Sequence, residues 1–138
     1  MEQVFVDTAA WIALVNTNDR LYHQAQRVMR ELEQERAHLV TTELVLIEVA
    51  DSLAAASIRT KTVAFIERLR QLPILRIIPA QEPLLDAAWI LYGERSDKDW
   101  GLTDCSSFVV MTSEQIARAF TSDHHFEQAG FIALMLPA

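Results

Sequence analysis

Four acidic residues stand where an acid needs a reason. Asp7 interrupts VFVDTAAWIAL (4–14), Glu48 interrupts LVLIEVA (44–50), Asp104 opens LTDCSSFVVM (102–111), and Asp123 follows ARAFTS (117–122). An ionised carboxylate in an apolar interior loses its hydration, so such groups are paired, neutralised or bound to a cation. Taken singly, three of them have ordinary readings. Asp7 and Asp123 stand where a helix N-cap is expected, the latter beside Ser122 as a competing cap, and Asp104 suits the positive end of a helix dipole. Glu48 is either a solvent-facing glutamate or an acid on a buried helix; its helical neighbours Thr41, Leu44, Val45 and Ser52 include no basic residue. Taken together, four clustered carboxylates repel one another unless a cation sits among them. Hard oxygen ligands without a histidine or thiolate cluster favour Mg²⁺ or Mn²⁺ over zinc. The chemistry implied is metal-assisted hydrolysis of a phosphate ester.

The hydrophobic pattern indicates the scaffold that carries these acids. Short apolar runs at VFV (4–6), HLV (38–40), ILRII (74–78), ARAFTS (117–122) and FIALML (131–136) read as strands. Between them lie helical patterns at 8–16, 20–35, 41–56, 61–72, 83–94, 102–114 and 124–130. Leu21, Ala25, Val28, Met29 and Leu32 trace one buried helix face; Thr41 and Thr42 can cap the third helix; Pro73, Pro79 and Pro83 mark breaks around the third strand. Strands that alternate with helices predict an α/β fold with a central, mostly parallel sheet flanked by helices in three layers, in which ligands bind beyond the carboxyl ends of the strands. Asp7 and Asp123 fall at two such ends.

The 138 residues (1–138) fit one domain, with three Gly, four Pro and no linker-like segment. The single cysteine, Cys105, excludes an internal disulfide, and no leader pattern opens the chain, so a cytoplasmic location is expected. Apolar stretches fall short of the ~20 uninterrupted residues of a membrane span. The net charge of −7 disfavours broad attraction to nucleic acid, but cancelling four of the nineteen acids with bound metal takes −7 to −3, a mildly acidic surface. Two phosphotransfer folds are excluded: a receiver domain needs an acidic pair near the first strand and a late lysine, whereas no lysine follows Lys98. A haloacid dehalogenase-like phosphatase needs Asp-x-Asp, and Ala9 fills the second position.

The ordered set VFVDTAAWIAL, TTELVLIEVADSL, DKDWGLTDCSSFVVM and AFTSDHHFEQAGF resembles PIN-domain ribonucleases, most closely the bacterial VapC-type toxins of toxin–antitoxin pairs, along essentially the whole chain. That resemblance implies a PIN-like fold and an endoribonuclease that uses Mg²⁺ or Mn²⁺ and leaves 3′-hydroxyl and 5′-phosphate ends. It implies a homodimer restrained by a small antitoxin. Asp7, Glu48, Asp104 and Asp123 match the family's acidic positions, the first three organising metal and attacking water and Asp123 completing the site. Thr8 and Ser106 match hydroxyl residues beside the acids, either donating hydrogen bonds to the metal ligands from behind or capping helix starts, and Gly101 stands where relatives often carry serine. The competing functions are a catalytically silent PIN-like protein that binds RNA or protein, and a housekeeping RNA-processing nuclease.

Other residues have plainer expectations. Arg20, Arg27 and Arg30, or Arg59, Lys61, Arg68 and Arg70, can meet phosphates but read as solvated helix faces. His124 and His125 are adjacent and lack the spaced ligands of a zinc motif. Cys105 reads as a small buried thiol, Trp11 and Trp89 as core or interface, and Trp100, in a polar loop, as a surface on which a base can stack.

Overall fold

A computed structural model describes residues 2–137 of the chain. Its centre is a five-stranded sheet in the order β3-β2-β1-β4-β5, with β1 Gln3–Val6, β2 His38–Thr42, β3 Leu75–Ile78, β4 Arg118–Phe120 and β5 Ile132–Ala133. Every pairing is parallel. The expected mostly parallel sheet is thus wholly parallel. Around it lie α1 Thr8–Val15, α2 Tyr22–Gln34, α3 Glu43–Ser52, α4 Arg59–Arg70, α5 Glu82–Glu94, α6 Leu102–Ser113 and α7 His124–Gln128. No helix among the described residues is long and apolar enough to cross a membrane.

β1 is the middle strand and its Val4, Phe5 and Val6 are fully buried, as expected of a parallel strand covered on both faces. Its end is fixed by a buried chain of hydrogen bonds: Trp11 Nε1 donates to Thr41 Oγ1 at 3.3 Å, and Thr41 Oγ1 donates to the Val6 carbonyl at 2.8 Å. The Asp7 N–H then donates to the Phe120 carbonyl at 3.1 Å, locking the first residue beyond β1 to the last of β4. Trp11 packs edge-on to Phe65 of α4, and Phe126 of α7 packs against both Phe5 and Phe108, so the core reaches the base of the loops that carry the strand-end acids.

Several elements are shorter than the sequence pattern predicts, most clearly the third helix and the last two strands, of which β4 keeps three of the six residues of 117–122. The third helix ends at Ser52 rather than running to residue 56, and a single 3₁₀ turn, Ala56–Ile58, leads into α4. A sustained apolar and alanine-rich run does not reveal this stop. The last strand has two residues rather than six, because the chain beyond Ala133 turns, with the Leu136 N–H donating back to the Ala133 carbonyl. As an edge strand it has one neighbour to hold it straight.

Candidate active site

Parallel strands deliver their carboxyl ends to one side, and three of the acids arrive there by different routes. Asp7 directly follows β1, Asp123 stands three residues beyond β4, and Asp104 lies in the first turn of α6. The charges of Asp104 and Asp123 both raise the proton affinity of Asp7, and that of Asp123 raises Asp104. Glu48 joins the group from α3 through a hydrogen bond: Thr8 Oγ1, beside Asp7, donates to Glu48 Oε1.

Asp7 has the most demanding surroundings. It occupies the N-cap position of α1, yet its side chain makes no cap hydrogen bond. The Thr121 hydroxyl donates to Asp7 Oδ2 at 2.8 Å instead. Burial pushes its pKa up from 3.8 to about 7, against the lowering effects of the Thr121 and Thr8 donors, and the charges of Asp104 and Asp123 add to the rise. Capping therefore does not account for this carboxylate. Asp104 is also raised, first by burial and then by Asp123, while His125 and the Gly101 N–H oppose the shift.

Asp104 and Asp123 do serve their local backbones, so their ordinary readings and their place in the cluster coexist. Asp104 Oδ2 accepts from the Gly101 N–H at 3.2 Å, and Asp123 Oδ1 accepts from the His125 N–H at 2.9 Å. In Glu48, Asp104 and Asp123 one oxygen is held in this manner, and the other takes no hydrogen bond from the described residues. No lysine or arginine pairs with any of the four acids among the described residues. Carboxylates that act on one another electrostatically, as Asp7, Asp104 and Asp123 do, without a protein cation form a donor set suited to a hard divalent ion. The residues present fit a hard divalent cation.

The supporting residues are sorted by their contacts. Thr8 orients Glu48, as a hydroxyl beside the acids should. Ser106 does not reach them: it is fully buried and donates to the Thr103 carbonyl at 2.6 Å, the nearest acceptor one turn back in α6. Trp100 does not offer a stacking face. It is 5% exposed, lies edge-on to Phe108, carries the Arg95 guanidinium over its ring, and donates from Nε1 to Gln128 Oε1 at 3.0 Å. Its loop is polar by composition but docks on an aromatic core, which composition does not disclose. Trp11 is core, Trp89 is 64% exposed, and Cys105 is a buried free thiol. A Cβ at Gly101 would meet nothing within 4 Å, so the glycine leaves room for the serine expected in relatives.

Two contributors escape the sequence pattern. Thr121 holds Asp7 and also accepts from the Asp123 N–H at 3.0 Å, linking both strand-end acids. A threonine between an apolar strand and an acid two residues on was the available signal. His125 places Nδ1 3.0 Å from Asp104 Oδ2 and 3.4 Å from Asp123 Oδ1. Among the described residues, the group whose potential ligand atoms lie within 4.8 Å of one another is Asp123, His124 and His125.

Comparison with known proteins fits this geometry: the PIN domain family model matches residues 4–132. The chain belongs to the PIN domain family. The chain is 27% identical over 139 aligned residues to the 23S rRNA-specific endonuclease VapC20 of Mycobacterium tuberculosis, covering 94% of this chain and 95% of the relative. The crystal structure of that protein, described as a Sarcin-Ricin loop cleaving toxin, superposes with a TM-score of 0.82 over 94% of this chain and 96% of that one. VapBC2 from Rickettsia felis, bound to a promoter DNA fragment, shares the PIN fold at a TM-score of 0.68 and 15% identity, covering 95% and 96% of the two chains. FitAcB from Neisseria gonorrhoeae shares it at 0.67 and 18%, covering 94% of each.

Proposed function

We propose that this PIN-domain chain is a divalent-metal-dependent endoribonuclease, the toxin of a type II toxin–antitoxin pair, acting on RNA in the cytoplasm. The observation that carries the reading is Asp7: a buried carboxylate raised to about 7, beside Asp104 and Asp123, with no lysine or arginine among the described residues to offset it. The full-length likeness to a protein named as an rRNA endonuclease supports RNA as the substrate. A structured ribosomal RNA loop is the substrate class to test first.

Asp7, Glu48, Asp104 and Asp123 hold the cation-binding oxygens, with Thr8 and Thr121 fixing Glu48 and Asp7 respectively. When bound, Mg²⁺ or Mn²⁺ neutralises phosphate oxygens and promotes ionisation of the attacking water. Glu48 Oε2, which takes no hydrogen bond from the described residues, orients that water for in-line attack on phosphorus. The products carry 3′-hydroxyl and 5′-phosphate ends.

A homodimer and a small antitoxin partner belong to the same proposal. Leu85, Trp89, Ile90 and Tyr92 of α5 are all exposed, and Trp89 stacks on Tyr92 at 5.8 Å, which gives self-association a preformed apolar surface. The test of function is cleavage-site mapping on total RNA and intact ribosomes with purified protein, with and without Mg²⁺ or Mn²⁺. Discrete cuts with 5′-phosphate ends are expected; absence of cleavage with either ion on every RNA would favour a catalytically silent binder.

A further inference from the structure

α7 is only five residues long, yet it is fastened to α6 and to the loop before it at several points. Trp100 Nε1 donates to Gln128 Oε1 at 3.0 Å, and the Phe108 and Phe126 rings meet edge-on at 4.9 Å. The remaining link is polar: His125 Nδ1 lies 3.0 Å from Asp104 Oδ2 and 3.4 Å from Asp123 Oδ1. Both neighbours of Nδ1 are carboxylate oxygens, which only accept when ionised, so Nδ1 carries the proton and donates. The imidazole is about one-fifth exposed and sits between two acids from different elements.

We propose that His125 is a positioning residue of the nuclease, whose Nδ1–H holds Asp104 while its backbone N–H holds Asp123, so that the two acids form one fixed pair with the second oxygen of each left for the cation. The proposal rests on the reading of the four acids as a cation site. Without this bridge two like charges, one on α6 and one beyond β4, would turn apart toward solvent, and a cation would have to draw them together again on binding. With it, the two acids are already held in place and the ligands need little rearrangement. An outer hydrogen-bond partner of a ligating carboxylate is worth about 10–100-fold in metal affinity or activity. Nδ1 is committed to the carboxylates, and the proposal places His125 behind them rather than on the cation through Nε2.

The test is Mn²⁺ binding to chelator-treated protein without RNA, followed by electron paramagnetic resonance. Wild type should bind Mn²⁺ with no directly coordinated nitrogen in its electron spin-echo modulation. His125→Leu should bind about 10–100-fold more weakly. His125→Asn, whose side-chain amide restores a donor near the place of Nδ1, should recover to within a few-fold of wild type. Wild-type affinity in His125→Leu would overturn the proposal. So would an asparagine variant that folds but binds as weakly as the leucine variant, and so would a coordinated nitrogen in wild type, which would make histidine a ligand. If His125→Leu does not fold, the asparagine variant and the wild-type spectrum still decide the matter. Failure of wild type to bind Mn²⁺ at all would instead overturn the metal-site reading itself, and this inference with it.

Discussion

Holding Asp7 at the end of β1 sets folding against chemistry within one carboxylate. Its folded pKa of about 7 lies above the ordinary 3.8, so the folded state binds a proton that the unfolded chain has already released. The stability tied to that proton is fully present below about pH 4 and is lost as pH rises through about 7. Thermal unfolding of metal-free protein should therefore show Tm falling across that window. Asp7→Asn, which keeps an acceptor for Thr121, should flatten the fall and melt several degrees above wild type at pH 8. Added Mn²⁺ should restore wild-type Tm at pH 8 and leave the variant unchanged. The same substitution should cut RNA cleavage by about 100-fold or more, since several kcal/mol of charge stabilisation go with the lost ligand. Thr8→Val removes only the donor to Glu48; cleavage assays at limiting metal should show a loss of about 10–100-fold with the fold intact.

Among the helices and strands, Thr42 shows how local signals position the site. It ends β2, caps α3 by accepting from the Val45 N–H at 3.0 Å, and so fixes the helix that carries Glu48. Thr42→Ala should cost about 1 kcal/mol of stability in urea unfolding, the usual worth of such a cap. That cap was legible in the sequence, as were the apolar run of β1, the amphipathic face of α2 and the strand–helix alternation that sends Asp7 and Asp123 to one side. Periodicity carries such features because each depends on neighbours along the chain. What it missed depends on neighbours in space. Trp100 reads as loop until Phe108 and Gln128 are seen beneath it, Ser106 reads as a partner of the acids until Thr103 is found nearer, and Thr121 and His125 gain their roles from residues more than twenty positions away. The four acids stood out in the sequence as a set, although Asp7, Asp104 and Asp123 each have an ordinary reading at a helix start.

Across the molecule as a whole, a protein of net charge −7 must meet a polyanion with most of its surface mildly repulsive. On the proposed reading, bound metal would supply the positive charge that the surface lacks, so that substrate engagement and catalysis would both depend on it. The exposed side chains of α5 belong to the same scale: Trp89→Asp should convert a dimer to a monomer in sedimentation, while a wild-type mass for the variant would place self-association elsewhere. Dependence on metal held by these acids is tested most sharply by cleavage of one mapped RNA by chelator-treated wild type during metal add-back, with Asp104→Asn alongside. No cleavage is expected before addition, then recovery with Mg²⁺ or Mn²⁺, and a variant that stays folded and silent throughout. Full cleavage by wild type in the presence of excess EDTA, or full metal-restored activity in Asp104→Asn, would contradict a nuclease built on this carboxylate site.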